Sequence, residues 1–400
     1  MTIPLVILSE KSITSTHQEI MWSEKMPVEF IGYVSAREQT EIVGPFGPAV
    51  DPVYIESSAL LHERGDFDRV LVAFHSNSPD SLLVAQHAAS VTTRLGLLIA
   101  HRPGFASPTL AARQFATLDN LTNGRVAMHV ITGGNDLELQ ADGDHLTKAE
   151  RYARAAEYIR IVRREWESST PFDHTDKFYR LHGANSAILP HKSGSIPIYF
   201  GGASEEAIAV TAEQADGYAL WGEPLDEAAQ LVHRVRTAAG KQGRTLRFSI
   251  SFRPIIADTE KQAWERAADI EATLRARQEH EREKGGIALD RPGTRPTPET
   301  LPTNEGSRRL QAISSRGTRH DERLWTGVAQ ATGGRWNSTS LVGTPDQVAE
   351  SLLRYYRLGI ETFLIRGFDP IADTVLYGRE LIPRVKALVA QEERCSASVA

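Results

Sequence analysis

The sequence of 400 residues contains a single cysteine, Cys395, and no long hydrophobic run. One cysteine can form neither an internal disulfide nor a cysteine-based zinc site, which is consistent with a reducing compartment. No segment approaches the roughly 18 consecutive apolar residues that a membrane-spanning helix needs. The first residues lack the basic region and the small-residue cleavage site of a signal peptide. We therefore predict a cytoplasmic protein.

Excess positive charge is also missing from the sequence. The formal net charge is −6 at pH 7 and the isoelectric point is near 6.1, so nothing favours a nucleic acid or an anionic membrane as partner. What is present is an ordinary globular composition, 41% hydrophobic and 24% charged, with ample chain for a large core.

Eight short apolar segments, each followed by a helical pattern, divide the sequence. The predicted strands are residues 28–35, 67–75, 96–101, 124–132, 196–202, 217–221, 246–257 and 360–366. The predicted helices are residues 51–64, 80–93, 108–121, 148–167, 204–214, 225–239, 260–283 and 371–389. Strict alternation implies parallel strands with right-handed crossovers. Eight such units predict an α/β fold, a closed (β/α)8 TIM barrel.

The barrel is predicted as a single domain over residues 27–389, with an N-terminal extension at 1–26 and a tail at 390–400. One insertion, at about 284–340, interrupts the rhythm before the last β/α unit. Its first part, 284–303, is dense in Gly, Pro and Thr, and loops of this length are usually lids or disordered segments. A further helix is predicted at 305–315.

Active sites on this fold lie at the C-terminal ends of the strands. The predicted strand ends are rich in His, Arg, Trp and Gly and poor in carboxylates, with Glu223 the only acid immediately at one. Metal hydrolases need clustered His and carboxylate ligands, and glycosidases need a carboxylate pair. The sequence also has no Gly-x-Ser-x-Gly elbow, Walker A motif or G-x-G-x-x-G fingerprint. These classes are therefore not favoured.

The remaining residues suit an anionic, aromatic ligand. The turn at residues 201–204 ends in Gly202, Ala203 and Ser204 and opens a predicted helix, where backbone N–H groups can approach a phosphate. Ser204 can act as the N-cap of that helix or as a phosphate donor. From this motif alone, an ordinary strand-to-helix turn is the favoured interpretation.

Arg253 and Trp221 are further candidates at strand ends. Alternation places Ser249, Ser251 and Arg253 on one face of a strand, and a buried guanidinium there needs either a bound oxyanion or an internal carboxylate. Trp221 could form the wall of a ligand pocket or simply be buried. The histidines at strand ends could be functional or packed and hydrogen-bonded; they are His75, His101 and His129.

Several motifs together resemble the luciferase-like flavin monooxygenases, and within them the FMNH2-dependent alkanesulfonate monooxygenases. The longest is P-x-x-A-A-R-Q-x-A-T-L-D-x-L-x-x-G-R within residues 101–134. The others are Glu150-Arg151-Tyr152, IYFGGAS at 198–204, Trp221-Gly222-Glu223-Pro224 and LVGTP at 341–345. The resemblance extends over about residues 27–387.

This resemblance implies a two-component monooxygenase that receives reduced FMN from a separate NAD(P)H-dependent flavin reductase. O2 would form a C4a-peroxyflavin, and oxygenation of a small anionic substrate, an alkanesulfonate, would release sulfite and an aldehyde. It also implies a homodimer or homotetramer. The residues implied for the cofactor are Tyr152, Gly202, Ala203 and Ser204 at the FMN phosphate, and Thr132, Gly133 and His129 near the flavin. Those implied for substrate and catalysis are Trp221, Arg253, His75 and Arg335, the last in the loop at 333–335.

The seventh predicted strand departs from the sulfonate enzymes. Where that family reads R-F-G-I-R-L-H, residues 247–253 read R-F-S-I-S-F-R, so an Arg is replaced by Ser251 and a His by Arg253. A sulfone or another small organic acid is therefore an alternative substrate. Two other functions stay open on the same fold: a flavin- or F420-dependent hydride-transfer enzyme, and a non-catalytic flavin- or acid-binding protein.

Overall fold

The computed structural model describes residues 28–192, 195–283, 304–334 and 338–397. Eight parallel strands close into a barrel in the order β1-β14-β9-β8-β7-β4-β3-β2, which confirms the predicted TIM barrel. The strands of the described residues are β1 (Glu29–Tyr33), β2 (Arg69–Val72), β3 (Gly96–His101), β4 (Val126–Val130), β5 (Phe172–Thr175), β6 (Arg180–Ala184), β7 (Ile198–Gly201), β8 (Gly217–Trp221), β9 (Arg247–Phe252), β10 (Ile255–Ile256), β11 (Arg319–His320), β12 (Leu324–Trp325), β13 (Ser340–Gly343) and β14 (Thr362–Ile365).

Helices cover the outside of the barrel and follow each barrel strand. They are α1 (Pro52–Arg64), α2 (Ser81–Ser90), α3 (Pro108–Leu121), α4 (Asp136–Ala141), α5 (Lys148–Glu167), α6 (Glu205–Gln214), α7 (Leu225–Lys241), α8 (Glu260–Glu283), α9 (Glu305–Ser315), α10 (Gly327–Ala331), α11 (Pro345–Tyr356), α12 (Pro370–Leu376) and, after a π-helical turn (Tyr377–Leu381), α13 (Ile382–Ala397). The last helix continues past the predicted start of the tail at residue 390. No helix in the described part of the chain combines the length and the apolarity needed to cross a membrane.

The loops at the C-terminal end of the barrel are fixed by helix caps. Thr147 and Glu150 form a capping box at the start of α5, and the Ser204 hydroxyl accepts a hydrogen bond of 3.3 Å from the Ala207 amide at the start of α6. Asp51 caps α1 in the same way. Each cap fixes the residue at which a strand-to-helix loop ends. The loop is therefore held by a strand at one end and by a capped helix at the other.

The ring order places particular strands opposite each other. In a ring of eight, β7 is four strands away from β1 in either direction, and β4 is four strands away from β14. Side chains that follow β1 and β14 therefore face, across the mouth, those that follow β7 and β4.

The barrel interior is filled in layers, as in other barrels of this type. The middle layer is apolar and consists of Ile31, Leu98, Ala127 and Tyr199, with Leu71 and Leu364 packed against them. At the N-terminal end, Glu29 pairs with Arg247 at 3.2 Å and with Arg69 at 3.9 Å. Burial raises the pKa of the nearby Glu361 despite the charge of Arg247.

The predicted strand at 246–257 is not continuous in the structure. It divides after Phe252 into β9, in the barrel, and β10, which pairs with β13 in a separate four-stranded sheet β10-β13-β12-β11. Pro254 lies at the division, and a proline lacks the N–H that a strand inside a sheet must donate. The Arg253 amide bonds instead to the Thr339 carbonyl at 2.9 Å, so the chain leaves the barrel at this residue.

A hairpin of β5 and β6 follows α5 and was not predicted from the sequence. The buried Glu157 of α5 anchors it by accepting hydrogen bonds from the Phe178 and Tyr179 amides at 2.9 Å and from His174 Nε2 at 3.0 Å. Glu157, His174 and Asp176 have the ligand atoms for a metal, but Asp176 also pairs with Arg160 at 3.0 Å. The cluster is therefore accounted for as a structural anchor.

Candidate active site

A cavity of about 820 Å³ opens at the C-terminal mouth of the barrel. Its volume is near the upper end of the range for cofactor and small-molecule sites, about 300–1,000 Å³. Most of the residues predicted for cofactor and substrate line it. They are His75, His129, Thr132, Gly133, Tyr152, Gly202, Ala203 and Trp221. The structure thus brings together residues from four strand ends and from α5.

One side of the cavity, after β7, forms a lysine pole that consists of Lys148, Tyr152, Gly202 and Ala203. Lys148 begins α5 and lines the cavity, and it forms no ion pair with any carboxylate of the described residues. Burial, and then the nearby Arg308, lower the pKa of its ammonium group. Ser204 does not line the cavity but caps α6, whose N-terminus lies beside the pole. Glu305 and Glu206 act on the ammonium group in the opposite direction, but neither is within ion-pair distance of it. A cation without a direct ion pair is suited to an anionic group.

Gly202 leaves the space of this pole open. Its φ of +124° is a conformation that other residues rarely adopt, and an added Cβ would lie 2.9 Å from the Ala207 Cβ and 3.2 Å from the Tyr152 hydroxyl. The Tyr218 hydroxyl donates to the Gly202 carbonyl at 2.7 Å and fixes the turn. The glycine is therefore required by both the backbone and the neighbours, and it keeps the Tyr152 hydroxyl accessible.

The three predicted histidines have different surroundings. His129 lines the cavity, burial lowers its pKa to about 4, and its Nδ1 has no hydrogen-bond partner within the described part of the chain. It is therefore a neutral imidazole at neutral pH. His101 instead bonds through Nε2 to the Tyr158 hydroxyl at 2.7 Å and does not line the cavity. Of the two alternatives that the sequence left open, the packed and hydrogen-bonded one is observed for His101.

His75 lines the cavity beside a buried ionic network. Its Nδ1 is 3.8 Å from the Glu138 carboxylate, which also accepts from Arg102 Nη2 at 3.0 Å and from the Ser76 amide at 3.1 Å. Burial alone would raise the pKa of Glu138, but His75 and Arg102 outweigh it and the pKa is lowered. The network holds the loop after β2 against α4 and so positions His75.

Trp221 and α9 form a roof over part of the cavity. An added Cβ on Gly306, in α9, would lie 3.0 Å from the Trp221 ring. Arg309 of α9 donates two hydrogen bonds to Glu223, from Nε at 2.7 Å and from Nη2 at 2.5 Å. Glu223, the acid that the sequence places at a strand end, therefore anchors α9, the helix predicted at 305–315. Trp221 is a wall of the cavity rather than part of the core.

Arg253 is not placed as an oxyanion-binding residue. It is fully buried, does not line the cavity, and donates to Glu41 at 2.5 Å and to the Gly367 carbonyl at 2.8 Å, with its guanidinium 3.6 Å from the Phe368 ring centre. The internal-carboxylate alternative is the one observed. The physical reason is the strand break before Pro254, which carries Arg253 out of the barrel mouth.

Glu41, which lines the cavity, joins Arg253 to two further arginines. Arg366 Nη2 donates to its carboxylate at 2.9 Å, and Arg277 Nη1 donates to its backbone carbonyl at 3.2 Å. Burial would raise the pKa of Glu41, but Arg253 and Arg366 outweigh it and lower the pKa to about 2. We call Arg277, Arg366 and Glu41 the arginine pole; all three line the cavity.

Some of the predicted site is outside the described residues, and some of the observed site was missed. Arg335 and the Gly/Pro-rich segment at 284–303 lie outside the described residues. Lys148 was missed, although it is four residues before Tyr152 and so shares a helix face with it. Arg277 was also missed, because nothing in the pattern of the long helix α8 marks it.

Comparisons with known proteins identify the family and the fold. The family described as luciferase-like monooxygenase matches residues 29–362. The structure of a riboflavin lyase (RcaE) with modified FMN and riboflavin has a TM-score of 0.72 and 18% identity, covering 90% of this chain and 92% of that one. EDTA monooxygenase (EmoA) from Chelativorans sp. BNC1 has a TM-score of 0.71 and 20% identity, covering 90% and 94%. An F420-dependent secondary alcohol dehydrogenase has a TM-score of 0.62 and 15% identity, covering 90% and 99%. At these identities the structural matches establish a shared fold.

Proposed function

Because this chain belongs to the luciferase-like monooxygenase family, we propose that it is a two-component monooxygenase that uses reduced FMN and O2. An NAD(P)H-dependent flavin reductase would supply the reduced FMN. The substrate would be a small organic acid, with an aliphatic sulfonate as the first class to test; a neutral sulfone is the alternative. The observation that carries the proposal is Lys148, which has no ion pair with a carboxylate of the described residues, beside an open glycine turn at one side of a large cavity.

The residues of the lysine pole fit the phosphate of FMN. Lys148 supplies a positive charge, Tyr152 a hydroxyl, and the turn at 202–204 leads into the N-terminus of α6. Gly202 leaves the turn free of a Cβ that would crowd Tyr152. Such N-termini favour phosphate because their N–H groups and the helix dipole both attract negative charge.

The ring of the flavin would extend from this pole over the loop with Thr132 and Gly133, beside His129. When bound, reduced FMN would supply the two electrons that activate O2, so that one oxygen atom of O2 enters the product and the other leaves as water. The chain's own part is to orient the cofactor, to provide a neutral imidazole at His129 and to limit water. Trp221 and α9 cover part of the cavity, and a covered site protects reactive species from solvent.

The test is a product screen with purified protein, a flavin reductase, FMN and NADH. A panel of aliphatic sulfonates, sulfones and carboxylates is incubated with and without O2, and sulfite and oxygenated products are measured. The proposal predicts a product that needs the protein, reduced FMN and O2 together. Turnover without O2, with FMN or F420 as hydride carrier, would instead identify a hydride-transfer enzyme. FMN binding without any product in the panel would favour a binding protein.

A further inference from the structure

The cavity has a second cationic side, and it lies across the mouth from the lysine pole. Glu41 follows β1 and Arg366 follows β14. The glycine turn of the lysine pole follows β7, and its helix α5 comes after β4; in the ring β7 is four strands from β1 and β4 is four strands from β14. A group bound by Arg277 and Arg366 is therefore not the group bound by Lys148. Two separate anionic groups fit the two sides.

The arginine pole carries more positive than negative charge. The guanidinium groups of Arg253 and Arg366 share the Glu41 carboxylate, at 2.5 Å and 2.9 Å. Arg277 is half-buried, bonds to the backbone carbonyl of Glu41, and forms no ion pair with a carboxylate of the described residues. Partly buried charge without a counter-charge is unfavourable, so the pole is poised for an anion.

The excess charge faces the cavity rather than the core. Arg277 and Arg366 both line the cavity, whereas Arg253 lies behind them and is fully buried. Arg253 therefore fixes Glu41, and Glu41 in turn positions Arg366. The Thr40 hydroxyl donates to the Phe368 carbonyl at 2.8 Å and ties the same loop to the end of β14.

We propose that Arg277 and Arg366 bind the oxyanion of the substrate, a sulfonate or a carboxylate at one end of an organic chain. Glu41 is a positioning residue for this site. Guanidinium groups present forked N–H donors that match such oxyanions, and each hydrogen bond to a charged group is strong. The apolar part of the substrate would then extend from the arginine pole towards the middle of the mouth. This inference rests on the proposed function for the reaction that the bound anion would undergo. The binding of the anion by the two arginines does not depend on it.

The test is calorimetric titration of the full-length protein, with and without FMN, with octane-1-sulfonate, octanoate and neutral octanamide. The two anions are expected to bind and octanamide to bind at least tenfold more weakly. Arg277→Met and Arg366→Met should each weaken anion binding by about 10- to 100-fold while the Kd for FMN changes less than twofold. The tighter of the two anions identifies the oxyanion.

Arg275→Met is the matched control, because Arg275 is on the same helix but pairs with Glu271 at the surface, at 2.7 Å. It should leave anion binding unchanged. Arg366→Lys keeps the charge but loses the forked donors, so it should bind the anions more weakly than the wild type and more tightly than Arg366→Met. Partial binding by this variant separates a lost contact from a lost fold.

Three outcomes would overturn the proposal. They are equal binding of octanamide and the anions, no anion binding by the wild-type protein, or an equal loss of FMN and anion affinity in Arg277→Met. The last result would assign the arginine to the cofactor. The titration needs no turnover, so its result is independent of the product screen. Anion binding without any product would support the arginine site and contradict the proposed reaction, whereas product formation without anion binding would do the opposite.

Discussion

The two ends of the barrel both contain partly buried charges, but only the N-terminal end balances them. There, Glu29 and Glu361 face Arg69 and Arg247. At the mouth, Arg253 and Arg366 share the carboxylate of Glu41, and Arg277 bonds only to its backbone carbonyl. Lys148 forms no direct ion pair with a carboxylate of the described residues. Charges that neutralise each other contribute to a stable structure, whereas charges left in excess around a cavity are available to a ligand. The comparison separates structural from functional ionic groups on one scaffold.

The largest expected effect is on stability, at the balanced end. Arg247→Met would leave Glu29 and Glu361 without their shared partner, and removing one member of a buried ionic group costs about 3–5 kcal/mol. Urea unfolding would measure the loss. Arg244→Met, which breaks a more exposed pair with Asp216, should cost about 1 kcal/mol or less. FMN affinity of the folded fraction should not change in either variant, and a change in Arg247→Met would contradict the division between the two ends.

The next effect is on stability at the mouth, and it depends on pH. The folded pKa of Glu41 is about 2, below its ordinary value of 4.5, so the ionised group stabilises the fold above pH 4.5. This difference corresponds to about 3 kcal/mol, which is lost as the pH falls from 4.5 through 2. Glu41→Gln should remove that contribution at pH 7 and flatten the acid limb of the stability curve. Curves of wild type and variant that stay parallel between pH 5 and pH 2 would show that Glu41 is not held by its arginines.

Cofactor affinity is the third quantity, and it tests the lysine pole. Lys148→Gln should weaken FMN binding by about 10- to 100-fold, since a hydrogen bond to a charged group is lost, with little change in stability. Fluorescence titration would measure the Kd. Because the pKa of the Lys148 ammonium is lowered, affinity should begin to fall with rising pH earlier than for an ordinary lysine. Lys177→Gln, at an exposed position on the hairpin side, is the control; equal behaviour of the two variants would refute a role of Lys148 at the cofactor.

The smallest effect should come from a single added methyl group. Gly202→Ala places a Cβ 2.9 Å from Ala207, at a φ of +124°, and should cost about 1–2 kcal/mol more stability than Gly317→Ala. Gly317 has a φ of +138° with nothing within 4 Å, so it carries the same backbone strain without the contact. Thermal unfolding would give the difference, and FMN affinity should fall only in Gly202→Ala. Equal Tm shifts would mean that the turn adapts.

The barrel could be predicted from the sequence because its strands are continuous apolar runs between helices with clear starts. The prediction of one continuous strand at 246–257 was wrong because the residues stay apolar on both sides of Pro254. The hydrogen bonds, however, pass from the barrel to another sheet at this point. The hairpin β5–β6 was missed since it is short and mostly polar, and its anchor Glu157 is on a different element. Long-range partners of this kind leave no local pattern.

The residues proposed here for the cofactor could be predicted from local motifs, and those proposed for the substrate could not. Tyr152 and Gly202 belong to short segments with recognisable patterns, and the structure brings them to one cavity. Arg253 has the right residue type at the right strand, yet its partner Glu41 is 212 residues away in the sequence. Arg277 is one of many arginines on a long polar helix. Only the folded arrangement distinguishes the arginine that is neutralised from those that face the cavity.

The closed ring has a consequence for which molecules the protein can select. Opposite strands are joined through every intervening hydrogen-bonded pair, so the span between the lysine pole and the arginine pole cannot stretch to suit a longer guest. Two anchors at a fixed separation would define where a bound chain begins. Extra chain length would then be accommodated against the α9 roof, which covers part of the cavity and is not a strand of the barrel. Preference for chain length should therefore be altered by substitutions in that helix and not by those in the strands.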